Sequence, residues 1–492
     1  MVRNINNNES EPMSIRPRGI LVVVLISWLM ANLTLASLTF ASETRKSNSE
    51  KSNSETATEL SNDQIAALSL QMFSVQGSAK TPIVEQLAAL NDKSLIPTFV
   101  LAMRWTGSDV RVSKALQQLT GEELTNWHDA YAWQQRHPEI IPHTTYRDLK
   151  LWFLGNTDKR FLTLFEEPHG SRENMRIRLE EIVWGGALYD DIPSLDHATM
   201  IAADEADYLL DQDLVFGVEI NGDIRAYPLR ILGWHEMVND VIGGVPVALA
   251  YCTLCGSGIL YETQLEGREQ PLVFGSSGLL YRSNKLMLER NSNSLWNQYN
   301  GAPVVGSMAG SDIKLKIRPV TISSWQDWRT SNPSTTVLSL DTGYIRNYDS
   351  GFVYREYFDS PHLMFPAAVN DESSLQKKDY VFGVRGLAAS KAWPLDVFTD
   401  TPVINDKVGT QSLVLIGDTA TRTVRAYERN RDETFEFAVG NRLTTSENSW
   451  HATESFLESA NGEQKRARIA GHISYWFAWD NFLGVRSELY KR

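Results

Sequence analysis

The sequence predicts an α+β protein in which an N-terminal helical, HEAT-like segment precedes a duplicated β-rich domain. Three observations predict this class. Leucines recur at three- and four-residue spacing between about residues 63 and 165, a spacing typical of amphipathic helices. From about residue 180 onward, turn residues separate short runs rich in β-branched and aromatic residues. Residues 215–262 also align without a gap on residues 381–428.

Composition and charge restrict the classes of function. The chain has 492 residues, 42% of them hydrophobic, including 14 tryptophans, which suffices for about three domains of ~150 residues each. It carries 47 basic and 60 acidic residues, for a net charge of −13. An acidic protein lacks the electrostatic footprint of a nucleic-acid-binding protein or of a basic membrane-binding face. We therefore predict no nucleic-acid partner.

The N-terminus has the pattern of a targeting segment. Arg16 and Arg18 precede an apolar run over residues 19–40, and a small residue, Ala41, ends a sequence typical of a signal-peptidase site. The run of about 20 residues is also long enough to persist as a membrane anchor. Residues 1–41 are therefore predicted to be a signal peptide or an anchor. The protein is expected to be exported, either periplasmic or anchored facing the periplasm, with no other membrane contact.

Two further segments precede the β-rich part. Residues 42–62 contain the repeated pentapeptide Lys-Ser-Asn-Ser-Glu and are predicted to be a disordered, solvated tether. Residues 63–170 are predicted to be a helical repeat-like domain, because prolines punctuate its amphipathic stretches. Stacked helical hairpins are typical of scaffolds, so we expect this domain to contact a partner protein of the cell envelope.

The first β-rich unit is predicted over residues 180–345. Asn221-Gly222 separates two apolar runs, and this dipeptide favours a hairpin turn with positive φ. Residues 231–241 are predicted to form a short helix. Gly243-Gly244 then turns the chain into a buried strand that ends at Cys252. The Cys-x-x-Cys sequence is therefore predicted to lie at a strand-turn-strand corner.

The second β-rich unit is predicted over residues 375–490 as a copy of the first. In the ungapped alignment 14 of 48 positions are identical, whereas average residue usage gives about three by chance. The groups with metal or redox chemistry differ between the copies: Cys252, Cys255 and His235 align with Asp418, Thr421 and Thr401. Joint loss of all three groups predicts a functional site in the first copy only.

The two cysteines, Cys252 and Cys255, are the only ones in the chain. A thioredoxin-type pair begins a helix that lowers the thiol pKa, and no helical pattern follows here. Covalent haem attachment needs histidine directly after the second cysteine, where this chain has Gly256. A cysteine pair followed by glycine resembles half of a zinc-ribbon or rubredoxin knuckle. The pair therefore predicts a metal or redox site.

A mononuclear metal centre would need ligands besides the two thiolates. His235 is the first choice, and Glu236 and Met237 are the adjacent alternatives. A Cys2His set with an optional methionine or carboxylate suits copper or zinc, and copper is preferred. Two alternatives stay open. The pair could act as a thiol or metal oxidoreductase, or Cys252 and Cys255 could form an inert disulfide in a structural or interaction protein. Whether the protein is an enzyme is also open.

Seven motifs lie between about residues 180 and 490: Trp184-Gly185-Gly186, Ile192-Pro193-x-Leu195, Val215-Phe216-Gly217-Val218, Arg225-Ala226-Tyr227-Pro228, His235-Glu236-x-Val238-Asn239-Asp240, Tyr251-Cys252-x-x-Cys255-Gly256 and Leu295-Trp296. In these motifs the chain resembles the DUF3179 family of uncharacterised exported bacterial proteins. Thr253 is a departure, because the resemblance implies proline after the first cysteine. The resemblance implies kinship and an envelope location but no reaction.

Overall fold

The predicted α+β class is confirmed: helices form the N-terminal part and several β-sheets form the rest. The computed structural model describes residues 60–370, 373–386 and 389–491. The predicted targeting segment, 1–41, and most of the predicted tether, 42–62, lie outside these residues. Within the described ranges, none of the helices combines the length and the apolar character needed to cross a bilayer.

The helical part begins where Ser61 caps the first helix. The Ser61 side chain accepts a hydrogen bond from the Gln64 backbone N–H, and the Gln64 side chain accepts one from the Ser61 backbone N–H. Asp109 caps the fourth helix, and Gly121, with φ of 83°, ends it. The helices are α1 (Asn62–Ser74), α2 (Lys80–Ala89), α3 (Ile96–Thr106), α4 (Val110–Thr120), α5 (Trp127–Arg136) and α6 (Tyr146–Thr157).

The helices pack around a common apolar core. Leu87, Phe99 and Leu116, from α2, α3 and α4, are fully buried in it. Val183, from the first strand of the β-rich part, packs in the same cluster. The helical part is therefore joined to the β-rich part by shared apolar contacts.

The first β-rich unit contains 15 strands and two helices. The strands are β1 (Ile182–Trp184), β2 (Leu195–Asp196), β3 (Met200–Ala202), β4 (Leu214–Ile220), β5 (Asp223–Pro228), β6 (Met237–Ile242), β7 (Val245–Cys252), β8 (Ser257–Glu262), β9 (Phe274–Tyr281), β10 (Asn284–Glu289), β11 (Ser294–Asn297), β12 (Ala302–Val305), β13 (Ile317–Arg318), β14 (Thr321–Ser324) and β15 (Thr336–Leu338). The helices are α7 (Leu229–His235) and α8 (Trp325–Ser331).

The hairpin predicted at Asn221-Gly222 is confirmed, since both residues have positive φ between β4 and β5. The prediction of a helix over residues 231–241 is wrong in its second half. Helix α7 ends at His235, Glu236 takes a left-handed φ of 57°, and strand β6 begins at Met237. The β-branched residues of β6 pair with β7 across the Gly243-Gly244 turn, and this tertiary pairing outweighs the local helical spacing.

The second β-rich unit follows a long connection that contains one short helix, α9 (Arg355–Asp359). Helix α10 (Trp476–Leu483) comes near its end. The strands of the second unit are β16 (Tyr380–Arg385), β17 (Ser390–Pro394), β18 (Val403–Val408), β19 (Gln411–Asp418), β20 (Thr423–Glu428), β21 (Glu436–Val439), β22 (Arg442–Thr444), β23 (Ser449–Ala452), β24 (Phe456–Ser459), β25 (Lys465–Ile469), β26 (His472–Tyr475) and β27 (Ser487–Leu489).

The strands form five sheets, of which three contain one parallel pair each, β2 with β6, β5 with β15 and β17 with β27. In the first unit the orders are β1-β9-β10-β11-β12, β13-β8-β7-β6-β2 and β14-β4-β5-β15-β3. In the second unit they are β26-β16-β17-β27 and β18-β19-β20-β25-β24-β23-β22-β21. Phe216 and Leu249 of the first unit share one buried cluster with Phe382 and Leu415 of the second. The two units therefore stabilise each other through a joint core.

Two tryptophans pack against glycines at matching places in the two units. A methyl group added at Gly217 in β4 would overlap the ring of Trp328 in α8. A methyl group added at Gly383 in β16 would overlap the ring of Trp479 in α10. Both rings are almost fully buried, as expected for tryptophans at helical spacing. Each glycine is therefore required for packing.

We expect Gly217→Ala and Gly383→Ala each to lower the free energy of unfolding by about 1–3 kcal/mol, because the added methyl overpacks a tryptophan ring. Urea denaturation measures the change. Gly310→Ala is the matched control, since the nearest atom to its added methyl group lies at an ordinary 3.8 Å. An equal effect of all three substitutions would contradict this account.

Candidate functional site

The Cys-x-x-Cys sequence forms the corner between two paired strands, as predicted. Strand β7 ends at Cys252, a 3-10 turn spans Thr253–Cys255, and β8 begins at Ser257. Gly256 closes the turn with φ of 59°, and a methyl group there would lie 3.0 Å from the ring of Tyr380. Both the backbone conformation and the available space therefore favour glycine at this position.

The two thiols meet inside this corner. Their Sγ atoms lie 2.7 Å apart, and both cysteines are buried. The Asn284 side-chain amide donates a hydrogen bond to Cys255 Sγ at 3.2 Å, and the Cys255 thiol donates to the Ser283 carbonyl at 3.4 Å. Asn284 also donates to Gln298 Oε1 at 2.8 Å. Cys255 therefore has an amide donor on one side and a carbonyl acceptor on the other.

Burial controls the protonation of Cys255. Loss of solvent raises the pKa of its thiol well above the usual value, and the hydrogen bond and charge of Cys252 raise it further. The negative charge of Glu236 acts in the same direction, while the Asn284 amide opposes it. Cys255 is therefore a neutral thiol at pH 7 while the corner stays closed.

A buried ion pair lies beside the thiols. Lys285 Nζ is 3.0 Å from Glu236 Oε2, and the two residues are only 3% and 8% exposed. Ser276 Oγ donates to the same carboxylate at 3.4 Å, and Thr253 Oγ1 donates to Glu236 Oε1 at 3.3 Å. The left-handed conformation of Glu236 also lets its carbonyl accept from the Tyr251 backbone at 2.9 Å. The carboxylate is thus tied to the cysteine turn.

The connection between the two units covers this corner. The Tyr357 hydroxyl in α9 donates to the Leu254 carbonyl at 2.6 Å, and Ser283 Oγ donates to the Pro366 carbonyl at 2.7 Å. Tyr380 and Tyr475 of the second unit join through their hydroxyls at 3.1 Å beside Gly256. The thiols are therefore enclosed by three separate parts of the chain.

The predicted ligands do not all meet at the thiols. His235 is buried with both ring nitrogens engaged, Nδ1 with the Pro193 carbonyl at 2.8 Å and Nε2 with the Tyr348 hydroxyl at 2.6 Å. Burial lowers its pKa, so its ring is neutral at pH 7. Met237 packs in an apolar cluster that does not include the cysteines.

Of the predicted set, the structure brings Glu236 together with the cysteine turn. Among the residues described, no group of three or more histidine, cysteine, aspartate or glutamate side chains is arranged to hold a metal ion. The Cys2His set centred on His235 is therefore not assembled in this conformation.

Sequence reasoning missed Lys285, Ser276 and Asn284 as members of this cluster. They lie on β9 and β10, two strands whose other residues are also buried. The available signal was a lysine and an asparagine inside apolar strands, because buried charged groups require partners. The partner of Lys285 is Glu236, which lies 49 residues away in the chain, so sequence spacing did not predict this ion pair.

We expect Glu236→Gln or Lys285→Met alone to lower the free energy of unfolding by about 3–5 kcal/mol, because each change leaves its buried partner uncompensated. The double variant should lose less free energy of unfolding than the two single variants lose together. Urea denaturation of the four proteins completes the cycle. Arg329→Met is the control, since its ion pair with Asp211 is solvent-exposed and contributes about 0–1 kcal/mol. Additive losses would contradict the pairing.

The raised pKa of Cys255 predicts slow alkylation of the reduced, folded protein. Only the thiolate reacts with iodoacetamide, so the labelling rate at Cys255 should still be rising above about pH 9. Peptide mass spectrometry measures the rate. In urea, the labelling rate of the same residue should follow the ordinary thiol pKa of about 8.5 and level off above it. A folded profile identical to the unfolded one would show that burial does not control this thiol.

Comparison with known proteins agrees with the resemblance seen in the sequence. The model of the family described as "Protein of unknown function (DUF3179)" matches residues 189–485, which include the cysteine corner and every strand of the two β-rich units except β1 and β27. No curated protein and no solved structure matched the chain. Because the match extends over more than half of its length, the chain belongs to the DUF3179 family.

Proposed function

We propose that Cys252 and Cys255 form a redox-active dithiol that exchanges electrons with a small disulfide. The observation that carries this proposal is the convergence of the two thiols in one turn beside the buried pair of Glu236 and Lys285. Titratable groups enclosed together are typical of functional sites. The enclosure favours a small disulfide over a protein disulfide as the reaction partner.

In the oxidative direction, the Cys252 thiolate attacks one sulfur of the small disulfide. A mixed disulfide forms, and the first small thiolate leaves and takes up a proton. Cys255 then loses its proton and attacks the Cys252 sulfur, which completes the protein disulfide and expels the second small thiol. Two electrons pass from the protein to the small disulfide, and the two protons lost by the cysteines equal those gained by the released thiols.

The neighbouring side chains have separate roles in this exchange. Glu236 accepts the proton of the attacking thiol, a role supported by the position of its carboxylate against the cysteine turn, to which Thr253 binds it. The Asn284 amide stabilises negative charge on Cys255 Sγ, to which it already donates. Lys285 lies 3.0 Å from the Glu236 carboxylate and holds it in place beside the turn. Movement of α9, which contacts the turn through Tyr357, admits the small disulfide.

A metal-binding role is the second candidate. It is supported by Asn284 Oδ1, a buried oxygen without a hydrogen-bond partner in the side chain that contacts Cys255. With Glu236, this oxygen could complete a set begun by the two thiolates, which suit copper or zinc. Participation of His235 would require it to leave both of its present hydrogen bonds.

The proposal that the site belongs to one copy of a duplicated unit has support from matching contacts. Asp240 accepts from the side chains of residues 225 and 227, and Asp406 accepts from those of residues 391 and 393. At the aligned corner of the second unit, the Thr421 hydroxyl bonds to the Asp418 carboxylate at 3.1 Å. A hydrogen bond thus replaces the dithiol there.

The wider setting is also a proposal. Helices α1–α6 are interpreted as HEAT-like hairpins that contact an envelope protein, and export is supported by the apolar N-terminal run. In an oxidising envelope the dithiol would need a source of reducing equivalents, and reduced small thiols supply them by the reverse of the exchange above.

The test is a thiol and metal count on full-length protein purified without oxygen. After equilibration with mixtures of reduced and oxidised dithiothreitol, we expect both thiols to titrate together as one two-electron transition of the folded protein. Cys252→Ser and Cys255→Ser should abolish it, and Glu236→Gln should slow the exchange. Thr421→Ala, at the corner of the second unit, is the matched control. It should change neither the two-electron transition nor the rate of exchange.

Two outcomes would decide against the redox role. Stoichiometric copper or zinc by elemental analysis, lost in both cysteine variants, would favour the metal-binding candidate. A disulfide that resists reduction until the protein unfolds would make the pair an inert crosslink and would contradict both candidates.

A further inference from the structure

An open groove lies at the corner of the second unit that aligns with the cysteine corner. Strand β14 and helix α8 of the first unit form one wall, and β19, β20 and the β21–β22 hairpin form the other. The groove has a volume of about 510 Å³, within the ~300–1,000 Å³ that is typical of sites for small ligands. A ligand as large as a disaccharide therefore has room in the groove as it stands.

One buried hydroxyl in the groove lacks a partner. Ser323 in β14 is 2% exposed, and its Oγ forms no hydrogen bond with any residue that the structure describes. Thr321, two positions earlier on the same face of β14, donates to Glu454 of the second unit at 2.7 Å, so Ser323 also faces the second unit. Buried polar groups are almost always hydrogen-bonded, so this hydroxyl indicates a partner that occupies the groove.

The opposite wall presents hydrogen-bond acceptors. Asp418 Oδ2 accepts from the Thr421 hydroxyl at 3.1 Å, and Oδ1 accepts from the Ala420 backbone N–H at 2.8 Å. The Thr421 and Thr423 hydroxyls lie 2.8 Å apart, and because Thr421 donates to the carboxylate, it accepts from Thr423. Each of these side-chain oxygens keeps a free lone pair. This corner is therefore arranged to accept hydrogen bonds from a ligand.

The guanidinium group in the groove is already paired. Arg425 is 7% exposed, and its Nε and Nη2 lie 2.8 Å and 2.6 Å from Glu454 Oε1. The negative charge of Asp327, which lines the groove from α8, also acts on this guanidinium. Asp418 adds a second carboxylate to the lining. The described residues of the groove thus offer no uncompensated cation to an anionic ligand, and the two aspartates repel one.

Aromatic rings form the apolar part of the groove. Phe437 in β21 is 47% exposed and lines the rim. The ring of Phe398 packs on the backbone of Gly417, where an added methyl group would lie only 2.3 Å from it. An exposed ring beside a wall rich in hydroxyls suits a ligand that has an apolar C–H face and several hydroxyl groups.

We propose that this groove binds a neutral sugar. Hydroxyls of the sugar donate to Asp418 and to the Thr423 oxygen, and one of them accepts from Ser323. The C–H face of the sugar ring lies on Phe437. A sugar suits this lining because each of its hydroxyls both donates and accepts. The proposal is independent of the redox role of the cysteines, since the groove lies at the other corner.

The test is isothermal titration calorimetry on the full chain with four neutral disaccharides: maltose, cellobiose, lactose and N,N′-diacetylchitobiose. We expect at least one of them to bind with a dissociation constant of about a millimolar or less. Digalacturonate, a disaccharide with two carboxylates, should bind more weakly, because its charges meet those of Asp327 and Asp418. The diamine 1,4-diaminobutane should also bind more weakly, because it has neither hydroxyls nor a ring face.

Variants locate the site for the neutral disaccharide that binds most tightly. Ser323→Ala should lower its affinity about three- to tenfold, the usual value of one hydrogen bond, and Asp418→Asn about tenfold or more. Phe437→Ser should also weaken binding, because it removes the ring on which the sugar lies. Asp207→Asn, an exposed aspartate outside the groove, is the matched control and should bind like the unaltered protein, as should Cys252→Ser. Circular dichroism establishes that each variant is folded.

Three results would overturn the proposal. The first is absence of binding by all four neutral disaccharides at concentrations up to about 10 mM. The second is unchanged sugar binding by folded Ser323→Ala and Asp418→Asn proteins. The third is tighter binding of digalacturonate or of 1,4-diaminobutane than of any neutral disaccharide, which would make the groove a site for a charged ligand.

Discussion

The cysteine corner depends on one buried ion pair, between Glu236 and Lys285. Each charged group would be costly in the interior alone, so the two constrain each other's position. Glu236 precedes β6 and Lys285 lies on β10, which belong to different sheets, so the pair also links these sheets. Through Thr253 the same carboxylate holds the turn that carries the thiols.

Burial decides the chemistry of the thiols more than their spacing does. An exposed pair at a helix N-terminus would have a lowered pKa, whereas enclosure raises the pKa of Cys255. The enclosing groups come from the connection, through Tyr357, and from the second unit, through Tyr380 and Tyr475. The second unit thus contributes to the site without carrying thiols of its own.

The helical part and the cysteine corner are connected through a fully buried carboxylate, Glu181. Its oxygens bind Arg178 at 2.8 Å and Arg282 at 2.5 Å. Arg282 directly precedes the Ser283-Asn284 pair that contacts Cys255. The Tyr131 hydroxyl of α5 donates to the Glu181 carbonyl. Ion pairs and adjacent residues therefore connect the helical part to the cysteine corner.

The sequence by itself determined the α+β class, the hairpin at Asn221-Gly222, the strand-turn-strand placement of the cysteines and the family. The first three rest on local spacing and turn chemistry, which act over a few residues, and the family rests on motifs between about residues 180 and 490. It did not determine the end of α7, because pairing of β6 with β7 competes with helical spacing.

Only the tertiary structure decided the neighbours of the thiols. His235 and Glu236 are adjacent in sequence, yet the left-handed turn at Glu236 directs one toward Tyr348 and the other toward Lys285. Contacts such as Lys285 with Glu236 bring together residues on strands far apart in the chain, and no local pattern encodes them. The physical reason is that burial and charge compensation act on the assembled fold, not on neighbouring positions in the chain.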